Sequence, residues 1–102
     1  MSRKEKLIRL LEREPNDVFL HFGLAMEFVK EGAVDEAIAR FDRVLALDPA
    51  YLAAYYQKGN TLLTAGRLAD AKMALVEGIN AAKKAGDLHA AAETQALLDG
   101  VS

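Results

Sequence analysis

The chain has 102 residues, a formal net charge of -2 and 52% hydrophobic residues, enough for one modest core, so a single domain is the first expectation. It has no cysteine, which excludes disulfides, thiolate zinc sites and cysteine nucleophiles. The slightly acidic balance offers no long-range attraction for phosphate backbones or anionic lipid, and no stretch reaches the roughly 20 apolar residues of a membrane span. The expectation is a soluble, cytoplasmic protein that binds neither nucleic acid nor membrane.

In chain order, Met1-Ser2-Arg3-Lys4-Glu5-Lys6 opens an amphipathic stretch carrying Leu7, Leu10 and Leu11. Glu12, Arg13 and Glu14 interrupt it, so it is no signal-peptide core. Ser2 and Glu5 stand in capping-box spacing and predict a helix N-terminus. Pro15-Asn16-Asp17 ends that helix and offers a side-chain acceptor to start the next, expected over about 17–31 with apolar Leu20, Leu24 and Phe28. Gly32 supplies the positive φ that helix C-termini often need, and a helix over about 34–47 follows with Ala37, Phe41, Val44 and Leu45 inward. Asp48-Pro49 ends it. A further pair of helices surrounds Gly66, and Gly86-Asp87 breaks and restarts the chain into an alanine-rich helix to about Leu98.

The chain repeats itself with a period of 34: residues 18–51 placed over 52–85 align Ala25 with Gly59, Gly32 with Gly66, Ala37 with Ala71 and Phe41 with Leu75. These residues resemble the tetratricopeptide repeat, whose pattern sets an aromatic, Leu-Gly/Ala, an aromatic, a small residue, an aromatic and a proline at fixed offsets. In the first full unit these places hold His21, Leu24, Ala25, Phe28, Ala37, Phe41 and Pro49. The second holds Tyr55, Lys58, Gly59, Leu62, Ala71 and Leu75, and departs with Gly78 for the usual alanine and Lys83 for the proline, so its last helix is expected to run on to about Ala85. Leu7, Leu10, Leu11 and Pro15 stand one period before Phe41, Val44, Leu45 and Pro49 and resemble the second helix of a preceding unit.

The resemblance implies an all-α fold of antiparallel helix-turn-helix repeats, stacked as a short right-handed superhelix of about six helices. Its expected divisions are a flanking helix at 1–15, repeats at 16–49 and 50–85, and a capping helix at 86–102. Two repeats alone rarely bury enough surface to stand, and the flanking half-units supply a third repeat's worth of helix, which suits a complete small protein.

The resemblance further implies that first helices line a concave groove that meets a peptide. The positions projected into it are Phe19, Phe22, Met26 and Lys30, with Gly23, from one helix, and Tyr56, Gln57, Asn60 and Leu63, with Ala53 and Thr64, from the next. Phe19, Phe22 and Met26 form an apolar stripe distinct from Leu20, Leu24 and Phe28, the mark of a contact surface. The lysine, asparagine and arginine clamp by which relatives hold acidic C-terminal tails is not matched, since its places hold Phe22, Met26, Gln57, Asp87 and Ala91. An apolar or amphipathic segment suits these residues better.

His21 and His89 lie two periods apart on different helices and are not expected to share a metal. Glu27 and Lys58 replace a small and an apolar residue of the pattern and are expected to pair with each other. The N-terminal Arg3, Lys4, Lys6, Arg9 and Arg13 read as a solvated face, with Glu5 and Arg9 in favourable i,i+4 spacing. With no nucleophile, metal cluster or phosphate loop, the expectation is a non-catalytic module without cofactor that binds a protein or peptide partner, the alternative being a self-associating scaffold whose apolar surface is buried in a homodimer.

Overall fold

The computed structural model describes residues 1–101, and among them it holds six helices and no strand: α1 (Arg3–Arg13), α2 (Val18–Glu31), α3 (Val34–Leu47), α4 (Leu52–Thr64), α5 (Leu68–Ala85) and α6 (Leu88–Asp99). They form two compact units, Met1–Asp48 and Pro49–Ser102. The division falls where proline forces the preceding Asp48 into extended backbone, at φ -144° and ψ 92°.

Each helix boundary has a local cause. Ser2 Oγ accepts the Glu5 amide at 3.1 Å and donates to Glu5 Oε1 at 3.2 Å. Asp17 and Asp87 cap α2 and α6 by accepting the amides of Leu20 and Ala90 at 3.1 and 2.9 Å. The turns after α2, α4 and α5 share one device, a glycine at positive φ (Gly32, Gly66, Gly86). In each, the glycine amide and the next one turn back onto two carbonyls of the final helical turn. Ala33 donates to Phe28 at 2.9 Å, Arg67 to Leu62 at 2.9 Å and Asp87 to Ala82 at 2.9 Å. Lys83, standing where proline would break the helix, lets α5 run on to Ala85.

In the first unit, Leu7 and Leu11 of α1 pack with Leu24 of α2, flanked by Leu20 and Phe28. Lys4 fastens the edge, reaching Glu31 at 2.9 Å and lying 5.5 Å from the centre of the Phe28 ring. Between α2 and α3 the core is Ala25, Ala37, Phe41 and Val44, all fully buried. In the second unit the equivalent core of α4 and α5 is Ala54, Leu62, Ala71 and Leu75, and α5 adds Ile79 and Ala82 beside Ala91 and Thr94 of α6. Buried Thr61 and Thr94 return their hydroxyls to the Gln57 and Ala90 carbonyls, one turn back.

The repeat places a polar-tipped ring at the same point of each unit. His21, only 4% exposed, lies with Nε2 2.7 Å from the Pro15 carbonyl, and Tyr55 donates its hydroxyl to the Pro49 carbonyl at 2.8 Å. A carbonyl only accepts, so Nε2 of His21 carries the proton and Nδ1 is left to accept from Arg40 Nη1 at 3.1 Å. One period on, His89 is 92% exposed at its side chain and lies 3.8 Å from Glu93, with Lys83 in the place of the proline.

Two expectations follow for thermal or denaturant unfolding. Tyr55→Phe should cost about 1 kcal/mol and His21→Phe about 1–2 kcal/mol, because the latter also strands Arg40, while His89→Phe changes stability by less than about 0.5 kcal/mol. The glycines should differ in sign. A Cβ on Gly23 would meet Leu7 at an ordinary 3.4 Å, so Gly23→Ala gains up to about 1 kcal/mol of helix propensity. A Cβ on Gly78 would stand 2.6 Å from Tyr55 Cβ, which cannot swing aside, so Gly78→Ala lowers stability despite the same propensity gain.

Candidate functional site

Helix α2 is apolar on more faces than its packing uses, and the structure sorts those residues. Phe19 stands 76% exposed near the helix start. Phe22, expected in the outward stripe, is half-buried and packs edge-on against Phe41, ring centres 5.8 Å apart. It lies one residue past His21 and three before Ala25, so its ring falls at the border of the buried stripe. Met26 is half-buried and Lys30 exposed.

Lys30 is not an independent charge. Its ammonium lies 3.4 Å from Glu27, whose side chain is only 14% exposed and also receives Arg3 Nε at 3.5 Å. Glu27, expected to meet Lys58, thus has two cations within its own unit. Arg3 also lies over Gly23, 3.6 Å from where a Cβ would stand, so this end of the α2 face is covered by α1.

On α4, Tyr56, Gln57 and Leu63 are half-buried and Asn60 is exposed. The Asn60 backbone carbonyl accepts the Thr64 hydroxyl at 3.0 Å, and the Asn60 side chain is exposed. Leu63 has a setting that the repeat register alone does not reveal. It lines an apolar hollow of about 350 Å³ with Leu68, Ala96, Leu97, Gly100 and Val101, at the meeting of α4, α5 and α6. Ala96 and Leu97 near the end of α6, with Gly100 and Val101 just after it, leave space there because two of the four are small.

No group of three or more His, Cys, Asp or Glu that could hold a metal occurs among the described residues. No described helix is long and apolar enough to cross a membrane.

Residues 28–97 match the tetratricopeptide repeat sequence pattern. The chain belongs to the tetratricopeptide repeat family. It is 30% identical to a tetratricopeptide repeat-containing protein of Pseudomonas aeruginosa over 92% of this chain and 90% of that one. Among solved structures it is similar to a Bordetella parapertussis protein determined in solution, with a TM-score of 0.85 and 28% identity over 99% of this chain and 88% of that chain. It is also similar to a tetratricopeptide repeat domain protein of Salinibacter ruber, with a TM-score of 0.79 and 28% identity over 86% of this chain and 89% of that one. The all-helical repeat fold is thereby established for this tetratricopeptide repeat chain, and proteins of that family are generally protein-interaction modules.

The two phenylalanines of the α2 stripe should separate by stability. Phe19→Ser should move the unfolding midpoint by an amount equivalent to less than about 0.5 kcal/mol, whereas Phe22→Ala, which empties the space beside Phe41, costs about 2 kcal/mol or more.

Proposed function

We propose that this chain is a non-catalytic interaction module, without cofactor, that receives a peptide or helical segment of a partner protein on the outward face of a first helix, α2 in one unit or α4 in the other. The observation that supports it most is Phe19, an aromatic side chain held 76% in solvent on a helix that buries His21, Leu24 and Ala25 on another face. Met26 continues that face on α2; in the other unit α4 carries a face of its own, with Tyr56 and Leu63 as apolar surface and Asn60 to hydrogen-bond a ligand backbone. Aromatic and methionine side chains give contact area at low conformational cost and adapt to irregular ligand surfaces. Lys30 is tied to Glu27, so the face presents little free positive charge to an acidic tail, and an apolar or amphipathic ligand suits it better.

The test is affinity capture from a native lysate by wild type and by a Phe19→Glu, Tyr56→Ser double variant whose fold is verified by circular dichroism and unfolding midpoint. Phe22 is left alone because its ring packs on Phe41. A protein held by wild type and lost by the variant supports the reading. Equal capture by both overturns it, and capture of the chain by itself alone favours a self-associating scaffold, which light scattering would then show as doubled mass.

A further inference from the structure

Helix α1 carries Arg3, Lys4, Lys6, Arg9 and Arg13 against Glu5 and Glu12, a net of +3 in a chain whose total is -2. Arg3 and Lys4 are spent on Glu27 and Glu31 of α2. The Glu5–Arg9 pair expected from the spacing does not form, because Glu5 is engaged by the Ser2 cap. Lys6, Arg9 and Arg13 make no ion pair among the described residues. At i, i+3 and i+7 they share one face of α1, beside Leu10, 46% exposed, and Met1. Together with Glu12 these residues line a depression of about 830 Å³.

The repeat register says what shape this face accepts. Leu10 stands 34 residues before Val44 and 68 before Gly78, and both of those are buried. At Gly78 an added Cβ would meet Tyr55, on the first helix of its own unit, at 2.6 Å, and Thr94, on the first helix that follows, at 3.5 Å. Leu10 therefore faces the place that a unit's first helix occupies. We infer that this flank of α1 is a second docking surface, distinct from the α2 and α4 faces, and that it takes an amphipathic helix of a partner protein with an apolar stripe against Leu10 and acidic residues against Lys6, Arg9 and Arg13.

A second copy of this chain is the poorer occupant. Its helix in first-helix register with an open face is α6, which carries Glu93 where α2 has Ala25 and α4 has Gly59. At Gly59 even a Cβ would overlap Leu75, so a glutamate there keeps a second helix from the close approach that the repeat uses.

The experiment titrates the ¹⁵N-labelled full chain with a synthetic helix of about 18 residues, five turns, bearing leucines at i, i+3 and i+7 between glutamates, and with the same peptide carrying lysines instead. The acidic peptide is expected to shift the amides of α1 and to bind about tenfold more weakly to an Arg9→Glu, Arg13→Glu variant, in which only exposed side chains without ion pairs are changed. Leu10→Ser should weaken it as well, and the unfolding midpoint of each variant verifies its fold. Unmoved α1 amides, equal binding of the lysine peptide or indifference to the variants would each overturn the inference. So would shifts in α1 that grow with protein concentration alone, or saturation of α1 by phosphatidylserine vesicles or an oligonucleotide at lower concentration than the peptide. Because the readout is confined to α1, its failure leaves the reading of α2 and α4 untouched.

Discussion

The structure depends on the close approach of two helices within each repeat. In the second unit the contact is Gly59 against Leu75, so tight that no Cβ could be added without displacing the leucine. In the first, Ala25 and Phe41 hold the same places, both fully buried. A small residue on one helix and a large one on the other lets the backbones come together while the large side chain fills the space between them, at the packing density that cores require. The ring tips of His21 and Tyr55, bonded to the carbonyls of Pro15 and Pro49, then tie the start of each first helix to the turn before it. Where this set is abandoned, at His89 and Glu93 of α6, the corresponding face is left to solvent.

Much of this was legible in the sequence because the causes are local or periodic. Ser2, Asp17, Gly32, Pro49 and Gly86 each act within a few residues, and the helices begin and end where those residues place them. The period of 34 identified the inward residues, since Leu24, Ala37, Phe41, Val44, Leu62, Ala71 and Leu75 are all buried. Less legible was whatever depends on neighbours from another part of the chain. Phe22 reads as outward by helical register, yet it packs edge-on against Phe41, across the helix pair. Glu5 has Arg9 at a favourable spacing, but the Ser2 cap is nearer and holds the carboxylate first. The hollow beside Leu63 exists because α6 contributes small side chains at one end of the second unit, which no single helix discloses.

Core and surface are therefore built from different residues of the same helices. On α2, Leu24 and Ala25 are buried while Phe19 stands 76% in solvent; on α4, Tyr55 and Leu62 are buried and Asn60 is exposed. Such separation lets the outward residues of a repeat vary without loss of the fold, which is why one architecture serves many partners and why the fold by itself names none.

The separation of these roles is tested most directly by the methionine methyl groups, since the proposed contact face includes Met26, half-buried on α2, while Met73 is exposed on α5. The measurement is a methyl NMR spectrum of the ¹³C-methionine-labelled chain, with and without a partner obtained by capture. The account predicts that the Met26 signal shifts or broadens while that of Met73 stays in place. A Met73 shift with Met26 unmoved would contradict it and move the binding surface to the outer face of α5.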